Sequence, residues 1–122
     1  MSLNGKNKES NEIADTIDTL VKVSRENSST MWRDIAERLS GGSRRYASIN
    51  VGKINRLSSD GDIVIVPGSV LGSGVINKKV TLSALRISKS AMEKLQKSGS
   101  SFKPIKQFAT ENPKVKNPKI LR

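Results

Sequence analysis

Between Gly68 and Lys79 the chain reads GSVLGSGVINKK, the stretch whose residue types come nearest to a chemical motif. Glycine-rich loops bind phosphate when successive backbone N–H groups point into one concavity and a lysine pairs with the charge. The spacing here departs from both familiar forms. Gly68, Gly72 and Gly74 do not fit G-x-x-x-x-G-K-[ST] or G-x-G-x-x-G, and Lys78 lies too far on to act as a phosphate-loop lysine. The plainer reading is a tight bend with close packing, where glycine supplies φ > 0 or room for a neighbouring backbone.

Other routes to catalysis are largely closed. The chain has no cysteine and no histidine. That excludes disulfides, thiolate chemistry and zinc sites built on Cys or His, and it removes the usual general base near neutral pH. The eleven acidic residues are scattered, and no pair is placed for metal binding or acid–base work. No catalytic, cofactor-binding or metal-binding residue is expected, and no small-molecule substrate.

The chemistry that remains is charge. The net charge is +11, and it is unevenly distributed: residues 1–60 carry ten Lys/Arg and eight Asp/Glu, residues 61–122 twelve and three. No acid occurs between Asp62 and Glu93 or after Glu111. Self-repulsion at this density makes a polyanion partner a simpler reading than a merely solvated basic surface. Aromatic residues are only 3% of the chain, which argues against a single-strand reader built on stacking platforms. No zinc finger, basic-leucine-zipper heptad or RNP motif is present, so shape-directed phosphate binding fits better than base-edge readout. No apolar run reaches the ~20 residues needed to span a bilayer, so no membrane partner is expected. MSLNGKNKES holds no apolar segment, so no secretory signal is expected either.

The elements that must position these charges are legible in part. At 122 residues the chain suits one domain: a flexible tail over 1–10, a single domain over 11–122, and an extended basic segment over 112–122. A helix is expected from near Asn11, with Ile13, Ile17, Leu20, Val21 and Ser24 on one face. A second, Met31 to Leu39, is capped by Ser29 or Thr30 and closed by Gly41. Trp32 widens its apolar stripe and reads as a core anchor rather than a stacking platform. Asn50 can cap a short helix carrying Ile54 and Leu57 inward, with Lys53 and Arg56 outward.

Ile63-Val64-Ile65-Val66 suits a strand buried on both faces and stopped by Pro67-Gly68. In the loop that follows, Val70, Leu71, Val75 and Ile76 are expected to find apolar neighbours. Val80 to Ile87 reads as a half-exposed strand with a slip at Ala84-Leu85. A helix over Ala91 to Lys97 is capped by Ser88 or Ser90 and closed by Ser98-Gly99. A short helix follows Pro104, and Ile120-Leu121 offers a last short strand.

Three segments resemble the L-eighteen-e family of archaeal and eukaryotic large ribosomal subunits. They are Trp32-Arg33-Asp34-Ile35-Ala36-Glu37-Arg38-Leu39, Ile49-Asn50-Val51-Gly52-Lys53-Ile54, and Val64-Ile65-Val66-Pro67-Gly68-Ser69-Val70-Leu71-Gly72-Ser73-Gly74. They occur in the family's order and roughly its spacing, and the resemblance runs from about residue 11 to the C-terminus. It implies an α/β fold shared with the bacterial L-fifteen family, a compact irregular strand-and-helix core preceded by two N-terminal helices. It implies no enzyme but a structural constituent of the cytoplasmic ribosome, bound to ribosomal RNA beside other large-subunit proteins. The chain is short for a eukaryotic member, which favours an archaeal source. On this reading Arg44, Arg45, Lys53, Arg56, Lys78, Lys79 and Arg86 line the RNA face of the core. Lys114, Lys116, Lys119 and Arg122 are contacts of an extended tail. Two alternatives stand beside it: a basic chromatin-type protein, and a nucleotide-binding enzyme using the 68–74 loop.

Overall fold

The computed structural model describes residues 4–41 and 46–121, with side chains described from residue 12 onward. Helix α1 (Asn4–Asn27) and helix α2 (Thr30–Ser40) pack against each other. α1 begins at Asn4 rather than near Asn11, because a helix can extend through polar residues that carry no apolar period. Between the helices, Ser29 stands at the N-cap of α2, its hydroxyl accepting from the Trp32 N–H at 3.5 Å. Gly41 closes α2 with φ −76°, so this end does not use the left-handed conformation that favours glycine.

The rest of the chain builds a parallel sheet. Strand β1 (Ala47–Asn50) leads into helix α3 (Val51–Leu57) and then strand β2 (Ile63–Leu71). Strand β3 (Thr81–Ile87), helix α4 (Lys89–Ser98), strand β4 (Ser101–Pro104), helix α5 (Ile105–Glu111) and strand β5 (Lys119–Ile120) follow. The order is β1-β2-β3-β4, every pairing parallel. β5 lies beside Val64 and Ile65 of β2, while β1 lies beside Gly68 to Leu71. The two short strands therefore share one edge of the long one.

β2 is the central strand, and its four β-branched residues alternate between two cores. Val64 and Val66 join Val51 and Ile54 of α3 and Ala91 and Leu95 of α4 on one face. Ile65 joins Leu20 and Val23 of α1, Trp32, Ile35 and Leu39 of α2, and Ile105 and Phe108 of α5 on the other. Burial on both faces is what an unbroken apolar run requires. Trp32 is fully buried; its Nε1–H donates to the Pro113 carbonyl at 3.1 Å and its ring meets Phe108 edge-on. The core reading of Trp32 therefore holds.

Pro67-Gly68 does not stop β2, which runs on to Leu71. The pairing with β3 shifts between Val66 and Ser69, so the missing proline N–H falls at an irregularity of the ladder rather than within it. The shift lies opposite Leu85, where the β3 pattern slips. Gly68 is needed for a different reason: a Cβ there would lie 2.0 Å from the Ala47 carbonyl oxygen of β1.

The short strands β1 and β4 carry too little apolar alternation to be read locally. Leu57, expected inward, is exposed at the end of α3. Val70 and Leu71, expected in a loop, end β2; Val70 there and Ile76 in the loop beyond are buried, but Leu71 and Val75 are exposed. The buried face of α3 runs through Val51 and Ile54 to Ser58 just beyond the helix, and at about 3.6 residues per turn Leu57 is rotated off that face.

Candidate nucleic-acid interface

Parallel topology decides where the basic residues go. All strands begin at one end of the sheet, and the connections between them, helical except for the loop between β2 and β3, return the chain to that end. Lys78 and Lys79 precede β3, Lys97 ends α4 before β4, Arg56 ends α3 before β2, and Lys116 and Lys119 stand before and at the start of β5. The opposite end receives Lys53 at the start of α3, Arg86 near the end of β3, and Lys89 at the start of α4. The expected contact residues therefore divide between the two ends of the strands, with Lys114 in the segment between α5 and β5. Arg44, Arg45 and Arg122 lie outside the described residues.

The two helical layers differ in charge. α1 and α2 together carry six basic and seven acidic residues, a net of −1. α3 and α4 carry five basic residues and one acid, a net of +4. Positive charge is thus concentrated on the α3–α4 face.

Not every cation on the list is available to a ligand. Lys78 is half-buried, and its Nζ donates to the Asn55 and Ser58 carbonyls, each at 2.6 Å. Those carbonyls stand in the last turn of α3 and just beyond it, where helix carbonyls lack intrahelical partners and a cation is favoured. Lys119 donates to the Leu57 carbonyl and to Asp62, both at 2.9 Å. This contact, with the Ser59 N–H, holds the Asp62 carboxyl below the usual carboxylate range. Lys53 is half-buried on α3, while Arg56, Lys79, Arg86, Lys114 and Lys116 are exposed.

Other cations with structural roles had no signal in the sequence. Lys94 of α4 donates through Nζ to the Gly72 carbonyl and to the Gly74 carbonyl, the latter at 2.6 Å. It ties the glycine loop to α4. Lys103 pairs with Glu111, whose carboxyl is held low by that contact first and by Gln107 second. Lys106 pairs with Asp15 of α1. In sequence all three read as ordinary surface lysines.

The glycine loop itself is packed against its surroundings. Gly74 has φ +93° and lies against the backbone of Gly52, and a Cβ on Gly72 would meet the Ser90 hydroxyl at 1.9 Å. The loop carbonyls of Gly72 and Gly74 accept from Lys94, so at these positions it presents acceptors to a cation rather than donors to a phosphate.

Known proteins resemble this chain along its whole length. The family model that describes ribosomal proteins 50S-L15, 50S-L18e and the 60S protein L-twenty-seven-A matches residues 48–103, which span β1 to β4 with α3 and α4. Large ribosomal subunit protein eL18 of Thermoplasma volcanium is 51% identical over 122 residues, covering 100% of both chains. The protein of that name from Picrophilus torridus is 47% identical over the same length, again covering 100% of both. That of Methanospirillum hungatei is 43% identical over 110 residues, 90% of this chain and 91% of its own.

Proposed function

This chain belongs to the eL18 family of large ribosomal subunit proteins, and from that premise we propose that it binds large-subunit ribosomal RNA through phosphate contacts and so supports translation in the cytoplasm. Membership makes it a structural ribosomal protein and not an enzyme. The observation that carries the reading is 51% identity to an archaeal eL18 from the first residue to the last. The charge distribution supports it: the α3–α4 layer is strongly basic and the α1–α2 layer is not. An RNA on the first face leaves the second for solvent and for neighbouring large-subunit proteins.

Phosphate binding of this kind gains its free energy largely from counterion release and needs no aromatic platform. The exposed cations Arg56, Lys79, Arg86, Lys114 and Lys116, with Lys53, are the contacts of the interface. Lys78 and Lys119 contribute field while their ammonium groups hold the fold together. Arg44, Arg45 and Arg122 complete the set.

Sedimentation tests the reading. Tagged protein in a cell lysate, run on a sucrose gradient at low magnesium, should travel with the large subunit. Recovery only at the top of the gradient, or with the small subunit, would overturn it.

A further inference from the structure

The cations of the α3–α4 layer fall into two kinds once their partners are known. Lys78 and Lys94 each spend two ammonium donors on backbone carbonyls. On α4 the buried residues are Ala91 and Leu95, and the helix turns Lys89, Glu93, Gln96 and Lys97 outward, all exposed. Neither Lys89 nor Lys97 has a hydrogen bond or ion pair among the described residues. At 1.5 Å per residue they stand about 12 Å apart along the helix. Lys89 is the first residue of α4, and the first turn contains no acid. A cation there opposes the helix dipole, so it does not serve helix stability.

The line continues past the helix. Gly99 closes α4 in the left-handed conformation, φ +82°, and the stem of Lys79 crosses it. A Cβ on Gly99 would lie 3.2 Å from Lys79 Cε. Packing of the stem against this bare glycine brings Lys79 to the end of α4, two residues beyond Lys97. Three cations therefore follow the length of α4 from one end of the strands to the other.

We propose that Lys89 and Lys97 on the outward stripe of α4, continued by Lys79 across Gly99, form a track for an RNA phosphodiester backbone. The inference rests on the RNA-binding function above and adds to it two residues, Lys89 and Lys97. Glu93 sits between the two lysines on the same stripe and weakens the track by repelling phosphate. Substituting it therefore separates a phosphate track from a solvated helix face.

Binding of the full chain to a transcript of large-subunit ribosomal RNA is measured against salt concentration. The double variant K89A/K97A should lower the log–log slope by about 1.4 to 1.8, at about 0.7 to 0.9 per lost contact. Its thermal midpoint should stay near that of the unaltered protein, since these are exposed positions. E93Q should tighten binding roughly twofold to fivefold at low salt, the range of exposed charge interactions. An unchanged slope in K89A/K97A, or an unchanged affinity in E93Q, would overturn the track while leaving the RNA function in place. An unaltered protein whose RNA binding does not respond to salt would overturn both.

Discussion

Gly52 and Gly74 meet backbone to backbone. A Cβ added to Gly74 would lie 2.7 Å from the Gly52 Cα, and the Gly52 N–H donates to the neighbouring Ser73 carbonyl at 3.0 Å. The start of α3 and the loop after β2 are thus locked at one point, and Lys94 holds the same loop from the side of α4. Two glycines far apart in sequence form one packing contact.

That contact makes Gly74→Ala a folding variant. φ is +93° at this residue, and the added methyl has no space. The cost should be about 1 kcal/mol or more, lowering the thermal midpoint by about 4 °C per kcal/mol. RNA affinity should fall only in proportion to the unfolded fraction. A variant with unaltered stability and lost RNA binding would show instead that the loop is itself a phosphate cradle.

Adjacent lysines should behave oppositely. Lys78→Met leaves the Asn55 and Ser58 carbonyls without their donor, so it should destabilise by about 1 to 3 kcal/mol. Lys79→Ala should leave stability nearly unchanged and lower the salt slope of RNA binding by about 0.7 to 0.9. Denaturant midpoints and salt titrations of the two single variants separate the roles. A double variant would mix them.

Trp32→Phe tests the core reading of the only tryptophan. It removes the hydrogen bond to the Pro113 carbonyl and part of a fully buried ring. Stability should drop by about 1 to 3 kcal/mol. The folded fraction should bind RNA as the unaltered protein does. Reduced RNA affinity at unaltered stability would assign the ring to base stacking.

Asp62 and Lys119 couple the fold to pH. The folded-state pKa of Asp62 is lowered, so its contribution is present above the ordinary carboxylate pKa and is lost as pH falls through the lowered folded value. The thermal midpoint of the unaltered protein should exceed that of Asp62→Asn near neutrality. The gap should close on acidification below about pH 4, the ordinary carboxylate range. A gap that persists at acid pH would mean that the charge of Asp62 is not its source.

Much of this protein is already determined by its sequence. Four consecutive β-branched residues, Ile63 to Val66, demand burial on both faces, and β2 has it. The stripe of Met31, Ile35 and Leu39 places α2 and seats Trp32 in the core. Caps at Ser29 and Ser88 mark two helix starts, since a hydroxyl meeting an unpaired N–H is a local event. The three family segments carry the ribosomal assignment.

Tertiary structure alone decided the rest. β1 and β4 are four residues each and exist through their parallel partners. β2 passes Pro67 because its ladder with β3 shifts there, a property of two strands and not of one. Most of all, the fold sorts the cations. Lys78 finds the Asn55 carbonyl 23 residues away, Lys94 the Gly72 carbonyl 22 away, and Lys119 the Leu57 carbonyl 62 away. A lysine's charge is a property of its side chain. Whether that charge is satisfied inside the protein or left for a polyanion depends on which distant carbonyls the fold brings within reach.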